Sequence, residues 1–156
     1  MNNLTINKSK TCAVTGHRNV EKNFDKSNLE KEFINLIAQG VNTFLVGMAI
    51  GFDTICFSVL KKIREKNLIK IIACIPCKDQ DAKFSDSQKK EYKEMLNSAD
   101  DRIIISEKYT SYCMQKRNVF MVDNSQFLVC YLRDNKGGTF NTVNYAKRKN
   151  IEIINV

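Results

Sequence analysis

The residues of this sequence able to bind or transform a ligand are gathered in short polar segments that contain glycine. Thr15, Gly16, His17 and Arg18 form the first; Gly47, Met48, Ala49, Gly51 and Asp53 the second; Gly137, Gly138 and Thr139 the third, with Thr142 close behind. The glycines allow close backbone approach to a ligand, or dihedral angles closed to other residues. If a helix opens at Gly138 and Thr139, its free N–H groups and dipole suit a phosphate, and the hydroxyls of Thr139 and Thr142 add donors. Arg18 and Arg117 can hold phosphate oxygens with paired donors. Asp53 can accept from ribose hydroxyls or, more plainly, cap a helix. His17, the single histidine, can be a general acid or base, but the reading favoured is a hydrogen-bonder that orients backbone. The case for a binding site rests on the joint placement of these residues, since each alone also has a structural explanation.

Other chemistries find less support. The sequence holds no G-x-G-x-x-G and no G-x-x-x-x-G-K-[ST], which excludes an ordinary dinucleotide dehydrogenase and a P-loop NTPase. Cys74-Ile75-Pro76-Cys77 has the form of a redox motif, yet Cys74 falls inside an apolar run and not ahead of a helix. One C-x-x-C and one histidine do not complete a zinc site. No metal, no cofactor and no catalytic residue is therefore assigned.

The elements that must position these segments are legible from apolar spacing. Short apolar runs at residues 11–15, 43–46, 70–75, 102–106, 127–132 and 151–156 read as strands. Between them, apolar residues recur at helical spacing. Leu29, Phe33, Leu36 and Ile37 mark a first helix, with Ser27 and Glu30 as a capping box and Gly40 as its stop. Ile55, Val59, Leu60 and Ile63 mark a second. Further helices are expected near 85–97, 113–124 and 139–149, and Pro76 is expected to end the third strand. Strands apolar throughout that alternate with helices indicate an α/β, Rossmann-like three-layer fold, with a mostly parallel sheet of about six strands flanked by helices. In such sheets ligands bind outside the carboxyl ends of the strands, where strand order reverses. The three glycine-bearing segments all fall at that edge.

With 156 residues, 43% hydrophobic and 27% charged, the chain reads as one domain spanning residues 1–156, with a core of ordinary size. No apolar run is long enough to span a membrane, and no signal-peptide pattern opens the chain; a cytoplasmic location is expected. Cysteines inside apolar runs there behave as small hydrophobes. The net charge of +8, weighted toward residues 1–78, favours anionic partners without choosing among them. Aromatic platforms for nucleic-acid bases are not evident, because Phe and Tyr fall mostly in apolar strand and helix patterns.

Together these segments resemble the SLOG superfamily, named for the Smf/DNA-processing proteins and the Lonely Guy enzymes, and within it the YpsA-like branch, a family of unknown function. The resemblance is carried by TGHR at 15–18, GMAIGFD at 47–53, Arg117-Asn118 with Met121-Val122-Asp123 and Ser125, and GGT at 137–139 with Thr142. It implies a Rossmann-like sheet that binds nucleotides or nucleotide-derived ligands, often in a homo-oligomer (a dimer or tetramer). Lonely Guy enzymes cleave the base from a nucleoside monophosphate, using an Arg before a helix and a Glu three residues after the Thr of their glycine loop. Arg117 matches that Arg and Thr139 that Thr, but Thr142 stands in the place of the Glu. Without the carboxylate, an oxocarbenium-like transition state loses its stabiliser. The expectation is a binding protein that senses, regulates or sequesters a nucleotide-like molecule. A phosphoribohydrolase-like enzyme and a single-stranded nucleic-acid binder are the alternatives.

Overall fold

The computed structural model describes residues 5–156. After a 3-10 turn at Lys8–Lys10, strands and helices alternate: β1 Thr11–Gly16, α1 Lys26–Ala38, β2 Thr43–Val46, α2 Phe52–Arg64, β3 Lys70–Cys77, α3 Asp86–Ser98, β4 Asp101–Ser106, α4 Cys113–Asp123, β5 Phe127–Tyr131, α5 Gly138–Arg148 and β6 Glu152–Asn155. The six strands form one sheet in the order β4-β3-β2-β1-β5-β6, and every pairing is parallel. The expectation of a Rossmann-like α/β sheet of about six strands holds, and the sheet is parallel throughout.

Burial on both faces explains why the strands are continuous apolar runs. In β3, Ile71, Ala73 and Ile75 enter one core with α1, α2 and α3, whereas Ile72 and Cys74 enter a second core with α4 and α5. The first core is filled by Phe33, Phe44, Phe57 and Leu60, the second by Met121, Val122, Leu128 and Val143. Each fully buried side chain of this size contributes roughly 1.5–3 kcal/mol relative to its exposed state.

Two local expectations are corrected. Helix α1 begins earlier than the Ser27–Glu30 pair suggests: Asp25 is its N-cap, accepting from the backbone N–H groups of Ser27 and Asn28 at 3.0 and 3.2 Å. An Asp just before the helix satisfies the free N–H groups at least as well as Ser. Nor does Pro76 end β3, which runs on to Cys77. The pairing with β2 stops at Ala73, so the missing N–H of Pro76 falls beyond that ladder and breaks no bond of it.

The chain moves outward from β1 to β4, then crosses back to lay β5 on the other side of β1. The strand order therefore reverses between β1 and β5, whose last paired residues are Gly16 and Tyr131. There the helices on the two faces diverge and a crevice opens.

Candidate functional site

A crevice of about 340 Å³ lies at this switch point. The end of β1 gives Val14 to Arg18, and the loop from β2 into α2 gives Gly47, Ala49, Ile50 and Asp53. Met114, Arg117, Asn118 and Met121 come from α4, Gly138 and Thr139 from the start of α5. Of the residues singled out in the sequence, Thr15, Gly16, His17, Arg18, Gly47, Ala49, Asp53, Arg117, Gly138 and Thr139 thus line one cavity.

The other four do not line it. Met48 is fully buried in the core at a φ of 65°, where its backbone turns the loop. Gly51 packs beneath the loop that carries Arg18. Gly137 precedes α5 as its N-cap. Thr142 is buried, and its hydroxyl donates to the carbonyl of Gly138 at 2.8 Å, the back-bond typical of a threonine inside a helix.

Asp53 and Arg117 dominate the electrostatics. Both are buried at 6% exposure, and no ion pair joins them within 4.0 Å among the described residues. Arg117 donates through Nη1 to the carbonyls of Gly47 and Cys74 and through Nε to Asn118 Oδ1 at 2.8 Å. Asp53 accepts the Ala49 N–H on Oδ2 at 3.1 Å, while its buried Oδ1 has no partner. Burial pushes the Asp53 carboxyl up to about 6; the Arg117 charge and the Ala49 hydrogen bond oppose the shift without cancelling it. Burial likewise lowers the pKa of Arg117, against the pull of Asp53. A carboxyl buried at this cost beside a crevice, with one oxygen left without a partner, makes Asp53 a candidate functional residue.

That cost is measurable. The folded-state pKa of Asp53 lies above its unfolded value of 3.8, so the folded protein favours the neutral form. Its contribution to stability is full below pH 3.8 and is lost as the pH rises through 6. Asp53→Asn keeps the acceptor for Ala49 and removes the charge. It is expected to raise the unfolding free energy by about 2–3 kcal/mol at pH 7.5, and by little at pH 4. Urea denaturation at the two pH values checks this; a variant less stable than the parent at pH 7.5 would contradict it.

Three of the helices start at the crevice, and they differ from the others at their first turns. Asp25 caps α1, and Ser85 caps α3 in a reciprocal capping box with Gln88. By contrast α2, α4 and α5 begin at Gly51, Tyr112 and Gly137, with no side-chain cap. The helices that border the crevice thus leave N-terminal N–H groups unclaimed by side chains, as an anion site requires.

His17 accepts the backbone N–H of Arg133 on Nε2 at 2.8 Å. This ties the end of β1 to the segment after β5 and matches the backbone-orienting role favoured from sequence. Cys74 and Cys77 are both buried in β3, their thiols pushed up to about 12 chiefly by burial, which removes the thiolate that redox chemistry uses.

Sequence reasoning passed over Gln80 and Phe84, which reach the crevice from the polar loop between β3 and α3. Gln80 is buried; it donates to the Gly47 carbonyl at 3.0 Å and accepts from the Tyr92 hydroxyl at 3.0 Å. Gly47 O is therefore held from two sides, by Gln80 and Arg117. The only hint in the sequence was position: this loop also follows a strand at the carboxyl edge.

The comparisons agree with this fold. Residues 8–154 match the model of YpsA, the YspA SLOG family. The SPbeta prophage-derived protein YoqJ of Bacillus subtilis is 38% identical over 120 residues, covering 67% of this chain and 69% of that one. The UPF0398 protein BH1768 of Halalkalibacterium halodurans is 23% identical over 150 residues, covering 94% and 79%. Among solved structures, DNA processing protein A of Streptococcus pneumoniae superposes with a TM-score of 0.67 at 17% identity, over 93% of this chain and 49% of that one. The Helicobacter pylori protein of the same name, solved for its single-stranded DNA binding mode, gives 0.68 at 19%, over 95% and 64%. The chain thus spans less than two thirds of either protein, and at such identities they speak for the fold alone. The match along almost the whole chain, together with the YoqJ likeness, places this protein in the YpsA SLOG family.

Proposed function

We propose that the crevice binds a nucleotide or nucleotide-derived molecule and that the protein acts by binding, as a sensor, regulator or sequestering protein. The observation that carries this reading is the pairing of opposite demands in one cavity. The unpartnered Oδ1 of Asp53 calls for a neutral donor such as a ribose hydroxyl and repels a phosphate. The uncapped start of α5 at Gly138 and Thr139 calls for an anion. A sugar phosphate meets both demands with one molecule. Thr142 supports binding without turnover, since it is neutral and its hydroxyl is committed to Gly138 O.

Gly138→Ala tests the phosphate end. A Cβ at Gly138 meets nothing within 4 Å, and its φ lies outside the positive range. The fold therefore does not need the glycine, and stability should change by less than about 0.5 kcal/mol. A phosphate resting on the backbone would need it. Calorimetric titration with nucleoside monophosphates is expected to show binding weakened by about tenfold, the worth of one charge-assisted hydrogen bond, and chromatography should detect no free base. Unchanged affinity would remove the phosphate from α5; base release by the parent that falls in the folded Gly138→Ala variant would make the protein an enzyme.

A second reading, binding of single-stranded nucleic acid, is favoured by the net charge of +8 and by the fold shared with a protein whose single-stranded DNA binding mode has been solved. It predicts affinity for oligonucleotides that falls steeply with salt, whereas mononucleotide binding inside a buried crevice falls weakly.

A further inference from the structure

A second chamber adjoins the crevice. It has a volume of about 500 Å³ and shares Arg18, Ile50, Gln80, Phe84 and Met114 with it. The two are therefore neighbours across a shared wall, one at the β1–β5 switch point and the other toward the start of α3. Resting on the nucleotide reading above, we infer that this second chamber is a nucleobase subsite, in which a flat heteroaromatic ring packs between Phe84 and Tyr109.

The chemistry of the walls favours a base over a further sugar or phosphate. Phe84 is half-buried, with its ring fixed edge-on against Tyr92 at 5.7 Å between centroids and 88° between planes. Tyr109 also lines the chamber and is 63% exposed, an aromatic ring given to solvent in a loop with no core to serve. Ile50, Ala82 and Met114 add apolar surface. Faces of this kind stack on a base, and the cations of the chamber, Arg18 and Lys83, are exposed residues. The edges of the chamber are polar and of mixed character. The carboxylate of Asp79 can accept from a base N–H. Gln88 uses its Oε1 on the Ser85 N–H, which leaves its amide NH2 to donate. Arg18, exposed on the shared wall, sits where the two moieties of one ligand would join. The two chambers together are of a size that suits a complete nucleotide.

The test compares ribose 5-phosphate with adenosine 5′-monophosphate by calorimetric titration, on the parent and on Tyr109→Ala. The exposed ring is not needed for folding, which a thermal melt of the variant verifies. A base subsite predicts that the nucleotide binds the parent about 10- to 100-fold more tightly than the sugar phosphate, the range of one stacked base. Tyr109→Ala should remove most of that difference and leave the sugar phosphate affinity unchanged. Equal affinities for the two ligands, or a nucleotide affinity untouched by Tyr109→Ala, would overturn the base subsite and leave the sugar–phosphate crevice standing. Failure of both ligands to bind would overturn both readings.

Discussion

Arg117→Ala is expected to lower the unfolding free energy by about 3 kcal/mol or more, in addition to any loss of ligand. The sequence presents Arg117 as a phosphate ligand; its surroundings give it a structural task as well. The guanidinium is 6% exposed and is wedged against the backbone of Gly47, where even a Cβ would stand 2.8 Å from Nη1. It serves carbonyls of two neighbouring strands where their pairing stops, Gly47 O just beyond β2 and Cys74 O within β3. Truncation leaves Cys74 O and Asn118 Oδ1 without this donor, a cavity where the side chain lay, and Asp53 without the positive charge that opposes its burial. Unsatisfied buried polar groups cost about 1–3 kcal/mol each, and the cavity adds a further term. Gln80 still holds Gly47 O, which limits the damage. The double variant Arg117→Ala/Asp53→Asn should recover part of the loss, because it leaves no unpaired buried charge. Urea denaturation of the four proteins measures the coupling. A loss below 1 kcal/mol for Arg117→Ala would mean that the guanidinium is a free ligand-binding arm and that the strand ends do not depend on it.

Gly51→Ala should be the most damaging single-methyl change in the binding loops. Gly51 has φ +89° and ψ −122°, a region that side chains rarely enter and whose cost is about 1–3 kcal/mol. A Cβ there would stand 2.2 Å from the carbonyl oxygen of Arg18 and 2.6 Å from its carbonyl carbon and Cα. These are backbone atoms and cannot rotate away. The Arg18 segment is itself pinned, because the N–H of Phe52 donates to His17 O at 3.1 Å and His17 accepts from Arg133. To admit the methyl group, the loops after β1 and β2 must separate, and the crevice they form separates with them. The expected result is a loss above about 3 kcal/mol, seen as a collapse of the urea midpoint or of folded yield. Gly40→Ala is the control: it shares a positive φ, +105°, but has nothing within 4 Å of the added methyl. It should cost only the backbone strain, about 1 kcal/mol. Equal losses in the two variants would show that backbone strain alone, and not the close approach of the loops, explains Gly51.

The two substitutions and Asp53→Asn describe a site built against local stability. Removing the Asp53 charge should strengthen the fold, whereas removing Arg117 should weaken it, though both line the same cavity. The carboxylate is retained at a cost, and the arginine holds the strand ends while lying open to whatever the crevice contains.

Much of this was legible in the chain itself. Continuous apolar runs that alternate with 3.6-period helices can bury both faces of a sheet only if the strands are parallel, and the parallel arrangement sends every strand-to-helix loop to one edge. The joint placement of TGHR, GMAIGFD and GGT therefore followed from local pattern, and ten of the fourteen marked positions do meet in the crevice. What the pattern could not decide was which atom each side chain would spend and on what. Gly47 and Arg117 are seventy positions apart, and their hydrogen bond exists because the crossover from β4 to β5 packs α4 against β3, which brings Arg117 to the loop beyond β2. Thr142 lies at the right spacing for the crevice, but its rotamer turns the hydroxyl onto its own helix. Gln80, Phe84 and Tyr109 lie in polar loops without periodicity, so nothing local marked them as walls of a cleft. Periodicity is a property of neighbours in sequence and determines elements and faces. Hydrogen-bond partners, buried charge and cavity walls depend on residues brought together by the crossovers, and these the tertiary structure alone decided.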